Sequence, residues 1–137
     1  MSLSKDVVVI VKDAFKEVIS GTLTFTLNFR TSPPNDLNMP NPVIVFRCIQ
    51  EDEVIRNIHG TKFRDVGTVW AHIMARTKPL VTEIKDAMKT AHRSIWKNPG
   101  TGLKHILWKN VVNNDHEDWN PVVYERIIKL EAVWEDT

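Results

Sequence analysis

The sequence predicts an α+β fold in which two helices pack on a mostly antiparallel sheet. Two segments carry apolar residues at three- and four-residue spacing, which indicates amphipathic helices, whereas several others alternate apolar and polar residues like strands. Most strand candidates follow one another through short turns, which favours antiparallel neighbours. The predicted order is helix, strand, strand, hairpin, strand, helix, strand, strand. With 137 residues and 42% hydrophobic content, a single domain over residues 1–137 is expected.

The first helix is predicted over residues 5–20, although the β-branched cluster at residues 7–11 favours a strand by propensity alone. The spacing of the apolar residues decides for a helix. Ser4 is the predicted N-cap and Gly21 the predicted stop. The apolar stripe consists of Val7, Ile10, Val11, Ala14, Phe15 and Val18.

The next segment, residues 22–29, alternates without a fault and predicts a half-buried strand. Residues 30–42 contain four prolines among asparagines and an aspartate, so we expect a long extended loop there. Residues 43–50 are mostly apolar, which predicts a central strand.

A hairpin is predicted after that strand, with arms at residues 53–58 and 61–66 and a turn at His59 and Gly60. A separate strand is predicted over residues 68–77. Both faces of this strand carry large side chains, so both are expected to contact protein, one of them from another subunit.

The second helix is predicted over residues 79–96, with Pro79 as its first residue and residues 98–102 ending it. The last two strands are predicted over residues 103–112 and 122–134, with a polar loop between them. The inner stripe of the helix consists of Leu80, Ile84, Ala87, Met88, Ala91 and Ile95.

Composition excludes several classes of protein. The formal net charge is only +1 and both signs are interspersed, so no specific nucleic-acid binding is predicted. Cys48 is the only cysteine, which rules out a disulfide within the chain, and its apolar surroundings predict a buried thiol. The apolar run at residues 7–11 is too short for a membrane span or signal peptide. We therefore expect no membrane partner and a reducing compartment.

Potential metal ligands are densest in one run, Asp115, His116, Glu117 and Asp118. Four adjacent residues cannot all face one ion, so a solvated loop between strands is the predicted structure. The five histidines, His59, His72, His92, His105 and His116, are scattered without the spacing of a triad or zinc motif.

A second pattern, Asp65 with Glu83 and Lys85, superficially matches the Asp…Glu-x-Lys arrangement of metal-dependent nucleases. That chemistry needs Glu and Lys on a strand, whereas here they fall in the predicted second helix. Residues 100–102, Gly-Thr-Gly, lack the lysine and setting of a phosphate loop and are interpreted as a helix terminator. No catalytic residue, cofactor or metal ligand is therefore predicted, and the chain is not expected to be an enzyme.

Five tryptophans are many for a chain of this length, and tryptophan is enriched in interface anchors. Trp119 lies in a polar loop and Trp134 lies three residues from the end, so both are predicted to be interface residues rather than core residues. Trp70, on the strand with two large faces, is a third candidate. Asp36 and Met39, in the proline-rich loop, complete the predicted interface set.

The layout resembles that of the tail-terminator, or tail-completion, proteins of long-tailed bacteriophages. The parts that look alike are the helix at residues 5–20, the proline-rich loop at 30–42 before the strand at 42–46, the strand at 69–77 running into the helix at 79–96, and the closing strands. The resemblance covers almost the whole chain and rests on this layout, since that family has no short diagnostic motif.

The resemblance implies a small subunit that forms a homo-oligomeric ring, commonly a hexamer, on the head-proximal end of the tail tube. Such a ring stops tube polymerisation and joins the tube to the head connector. The implied partners are further copies of the chain, the tube protein and the connector, and DNA would pass through the ring without specific binding. The implied location is the tail or neck of the virion, after assembly in the host cytoplasm.

Three alternatives remain open from the sequence. One is another neck or head-closure component. A second, from a different class, is a small metal-dependent nuclease or hydrolase that uses residues 115–118 or Glu83 and Lys85. A third is a monomeric binding domain that presents a tryptophan-bearing face to a partner.

Overall fold

A computed structural model describes residues 3, 5–32, 40–55 and 63–136. Within this part of the chain, five strands form one sheet in the order β1-β2-β3-β5-β4. The strands are β1 (Asn28–Arg30), β2 (Val43–Ile55), β3 (Phe63–Ala75), β4 (Leu103–Asn113) and β5 (Tyr124–Asp136). Only the short β1–β2 pairing is parallel among the described strands. This mostly antiparallel sheet, together with two helices, confirms the predicted α+β fold.

The two helices, α1 (Val7–Ile19) and α2 (Lys78–Ile95), lie where the sequence predicts them. In α1 the apolar spacing prevails over the strand propensity of the valines, because it buries one whole side of the helix against the sheet. Gly21 has a φ of 90°, the left-handed conformation that suits a helix stop. The predicted cap, Ser4, is outside the described residues, and Asp6 occupies the N-cap without a side-chain hydrogen bond.

Helix α2 begins one residue earlier than predicted, so Pro79 is its second residue. The Thr77 side chain caps the helix by accepting a hydrogen bond from the Leu80 backbone N–H at 3.4 Å. Its buried residues are Val81, Ile84, Met88, Ala91 and Ile95. The predicted stripe thus omitted Val81 and included Leu80 and Ala87, which are only partly buried.

The predicted division of residues 43–77 into four strands is wrong, because β2 and β3 are two long strands that pair from Val43–Met74 to Ile55–Phe63. Gly67 does not break β3. A Cβ at Gly67 would lie 3.2 Å from the Trp134 ring, so this glycine marks a close approach within a continuous strand. The middle strand of the five is β3, and β2, predicted as a central strand, lies inside the sheet between β1 and β3. The predicted turn at His59 and Gly60 lies outside the described residues.

The strand predicted over residues 22–29 is also mostly absent, since β1 covers only Asn28–Arg30. Leu23, Phe25 and Leu27 still pack against the core, but from an irregular segment. Their alternation reflects alternate burial without strand pairing. Strand β1 pairs only with the first three residues of β2.

Both helices pack on one face of the sheet. Alternate strand residues on that face join the helix residues in a single core: Ile44 and Phe46, Val69, Ala71 and Ile73, and Ile128, Leu130 and Ala132. The opposite face, which neither α1 nor α2 covers, is called the open face below. Its central residues are Arg47 on β2, Trp70 and His72 on β3, and Lys129 and Glu131 on β5.

Candidate assembly surface

A row of three residues crosses the middle of the open face. The strand register places Trp70 on β3 between Arg47 on β2 and Lys129 on β5. The Arg47 guanidinium carbon lies 5.2 Å and the Lys129 Nζ 4.6 Å from the centroid of the Trp70 ring, within the range of cation–π attraction. The two cations thus hold a half-buried tryptophan from opposite sides, and we call these three residues the Trp70 row.

A hydrogen-bonded cluster lies beside the Trp70 row, at the end of the sheet where β5 begins. The Glu125 side chain is only 8% exposed. Its Oε2 accepts a hydrogen bond from His72 Nδ1 at 2.9 Å, and its Oε1 accepts from His116 Nε2 at 3.0 Å and from Asn114 Nδ2 at 2.8 Å. A carboxylate that accepts from three side chains is well suited to stay ionised although it is nearly buried.

The cluster and the Trp70 row are joined through His72. Arg47 Nε donates a hydrogen bond to His72 Nε2 at 2.8 Å. Since a guanidinium can only donate, His72 Nε2 must accept, which assigns the imidazole proton to Nδ1, where it faces Glu125. The two sites therefore form one connected surface.

The electrostatics of Glu125 follow from these contacts. Burial by itself would raise the pKa of the carboxyl group. Hydrogen bonds from His72, His116 and Asn114 outweigh that effect and hold the pKa of Glu125 below its ordinary value.

Trp119, a predicted interface residue, is 50% exposed. Its ring stacks on the His116 imidazole with centroids 3.7 Å apart and an interplanar angle of 15°. Because His116 is bound to Glu125, the cluster fixes an exposed tryptophan at the border of the open face. The exposure agrees with a position outside the core, and its role at an interface stays a prediction.

Trp134 was predicted to lie outside the core, and this prediction is wrong. The residue is 7% exposed and belongs to the hydrophobic core on the helix-covered face. It pairs with Asp65 near the end of β5, and its ring lies over Gly67. Nearness to the chain end does not expose a residue that pairs within the sheet. The other two predicted interface residues, Asp36 and Met39, lie outside the described residues.

Cys48 was predicted to be buried, and it is exposed. The buried part of β2 ends at Phe46, and Cys48 lies near the first residues of α1, beside a register irregularity between Cys48 and Gln50. Partial burial and the nearby Glu51 charge raise the pKa of the thiol, which disfavours the thiolate that a nucleophile would need.

The run of potential metal ligands at residues 115–118 does not converge. Asp115 binds Arg126, His116 binds Glu125, and Glu117 lies 3.9 Å from Lys78. Within the described part of the chain, no group of three or more His, Cys, Asp or Glu side chains is arranged to hold a metal ion.

The nuclease-like pattern does not have the required setting either. Glu83 and Lys85 lie in α2, as predicted, and Lys85 Nζ lies 3.2 Å from its neighbour Asp86.

Among the described residues, no helix is both long and apolar enough to cross a membrane.

The outer edge of β4 is partly occupied by α2. The Ile106 N–H donates to the Trp96 carbonyl at 3.0 Å, and the Ile106 carbonyl accepts from His92 Nε2 at 2.6 Å. Irregularities in the β4–β5 register flank Lys104 and Lys109. Capped backbone groups, bulges and edge lysines all disfavour the addition of a further strand at this edge. Pairing with a strand of another chain is therefore disfavoured at the β4 edge.

Comparisons with solved structures bear on the fold. A chain of the virion of a native gene transfer agent particle has a similar fold, with a TM-score of 0.62 and 12% sequence identity. The match covers 96% of this chain and 100% of that chain. The sheath/tube terminator of an extracellular contractile injection system, PVC, in its extended state is also similar, with a TM-score of 0.52 and 10% identity. That match covers 98% of this chain, which spans only 59% of the terminator's length.

At such identities the likeness establishes the fold. These two neighbours are consistent with the resemblance to tail terminators that the sequence layout indicates. No protein-family model matches the chain, and no curated protein matches it in sequence.

Trp70 and Trp119 are predicted from the sequence as interface residues, but the sequence does not predict Arg47 and Lys129 beside Trp70, or Glu125, which binds the His116 that Trp119 stacks on. A signal was present in β5, where charged residues alternate with apolar ones and so mark one face of the strand. The residues opposite them on β2 and β3 could not be assigned without the register.

Proposed function

We propose that this chain is a structural subunit of a phage-like tail, and specifically a tail terminator that forms a ring on the end of the tail tube and joins it to the head connector. One observation carries the proposal: nearly the whole chain shares its fold with a virion chain of a gene transfer agent and with a protein named as a sheath/tube terminator. The corresponding location is the tail of the assembled particle.

The surface of the subunit supports this proposal. The open face presents a cation-flanked tryptophan, and Trp119 extends the aromatic surface at its border. Aromatic and arginine side chains at the centre of a surface are typical of protein–protein contacts. The occupied edge of β4 disfavours a contact by strand pairing at that edge of the sheet.

The test combines mass photometry of the purified chain with electron microscopy of the chain mixed with the tail-tube protein of the same genome. We expect a closed oligomer of defined mass and tubes whose growth stops when the chain is added. A strict monomer that neither binds nor shortens tubes would refute the proposal. A ring that binds the connector but leaves tube length unchanged would point to another neck component.

Single substitutions refine the same experiment. Trp70→Ala and Trp119→Ala should weaken ring formation or tube capping, because they remove a half-exposed aromatic group from the open face and an exposed one from its border. Trp96→Ala is the matched control, since Trp96 is 36% exposed but lies at the end of α2, away from the open face. Equal losses in all three variants would contradict this assignment of the surface.

A further inference from the structure

A groove between the two helices lies on the side of the subunit opposite the open face. It has a volume of about 430 Å³, with a floor that includes Val18, Leu23 and Ala87. Each of these three side chains is only partly buried by its own subunit. The groove therefore offers apolar surface that a second protein could cover.

The charges of the groove are of one sign. Among the described residues that line it, only Glu83 and Asp86 are charged, and both are acidic. Asp86 also lies 3.2 Å from Lys85, but this exposed pair contributes little by itself. The rim of the groove thus favours a partner that brings positive charge together with an apolar group.

The Trp70 row has these properties. It places a large aromatic ring between two cations in the middle of the open face. Because the groove and the open face lie on opposite sides of the sheet, they cannot meet within one subunit. They can meet only between two copies, and the contact then uses two different surfaces, which generates a ring if the rotation closes.

We propose that the open face of one subunit packs on the helix groove of the next, with Trp70 against the groove floor and Lys129 facing Glu83 and Asp86. The occupant of the groove is thus a second copy of this chain. This inference rests on the proposed ring and specifies its subunit contact.

Charge reversal tests the contact from both sides. Lys129→Glu places like charges against the acidic rim, and the double variant Glu83→Lys with Asp86→Lys places like charges against Lys129. Each variant alone should raise the dissociation constant of the oligomer at least about tenfold. The exposed β4 residue Lys104 provides the control for Lys129→Glu, because Lys104→Glu makes the same change in net charge outside the Trp70 row and the groove lining. Circular dichroism and thermal melting verify that each variant is folded.

Mixing the two charge-reversed variants is the decisive step. In an alternating ring, one contact pairs the carboxylate introduced by Lys129→Glu with the introduced lysines, and the next contact restores the original pair. The mixture should therefore assemble although neither variant does alone. Variants that stay assembled, or folded variants that fail to assemble when mixed, overturn the inference while the wild-type ring stands. A Lys129→Glu variant that keeps its ring but loses the tube shows that the open face binds the tube instead. A wild-type chain without any ring overturns the proposed function itself.

Discussion

Replacing Glu125 with glutamine should destabilise the fold strongly for so conservative a change. The glutamine amide keeps the shape but replaces one acceptor oxygen with an NH₂ donor. If that donor takes the place of Oε2, it faces the Nδ1–H of His72, whose tautomer is fixed by Arg47. If the amide is reversed, it faces His116 and Asn114 instead. In either orientation of the amide, at least one nearly buried donor loses its acceptor, or a neighbouring side chain must rearrange.

The magnitude follows from these contacts. An unpaired buried polar group costs about 1–3 kcal/mol, and hydrogen bonds to a charged group contribute about 1.5–3 kcal/mol. Because these effects overlap, we expect Glu125→Gln to lower the free energy of unfolding by about 2–3 kcal/mol. Urea denaturation at pH 7 and equal protein concentration measures it, since any oligomer would make stability depend on concentration.

Glu131→Gln is the matched control, on the same strand and the same face. Glu131 is 30% exposed and lies 3.6 Å from the half-exposed Lys109. An exposed pair of this kind contributes about 0–1 kcal/mol. Equal destabilisation of the two variants would refute this role of the Glu125 hydrogen bonds.

The same pair of proteins tests the titration of Glu125. Its folded-state pKa is depressed, so its contribution to stability is fully present above the ordinary glutamate pKa of about 4.3. The contribution is lost as the pH falls through the lower folded-state pKa. The stability difference between the wild type and Glu125→Gln should therefore shrink below about pH 4. A difference that is constant from pH 7 to pH 3 would contradict the assignment.

Three further predictions concern the core and its borders. Trp134→Ala should lower the free energy of unfolding by about 3–5 kcal/mol, and Trp119→Ala by less than about 1 kcal/mol, in urea denaturation; equal losses would contradict the difference in burial. Gly67→Ala should cost about 1–3 kcal/mol, because its Cβ would lie 3.2 Å from the Trp134 ring and 3.4 Å from Val7; a neutral result would show that the ring shifts freely. Gly21→Ala should cost about 1 kcal/mol in thermal melting, since φ is 90° there; unchanged melting would show that the turn relaxes.

The parts of the fold that the sequence predicts correctly are those with a local cause. The periods of α1 and α2, the glycine at 21 and the residues 98–102 place both helices to within a few residues. The last two strands are also located correctly, because alternation and polar loops delimit them. The errors concern features without a local cause: Gly67 looks like a break until the ring of Trp134 is known to lie over it.

The candidate site shows the same division. Trp119 is recognisable as exposed because its neighbours in sequence are polar. Trp134 is followed by acidic residues and lies near the chain end, yet pairing of β5 with β3 and β4 carries it into the core. Cys48 lies in an apolar run, but β2 extends past the helix that would have covered it.

By itself, the sequence determined the fold class, the helices, the mostly antiparallel pairing and the layout that resembles tail terminators. Only the tertiary structure decided which face of the sheet the helices leave open and which residues meet there. His72 and Glu125 are 53 positions apart, and no periodicity links residues at that separation. Strand register alone brings them together, and register is set by which side chains the core can bury. The Trp70 row and the Glu125 cluster therefore lie together on the open face of the sheet.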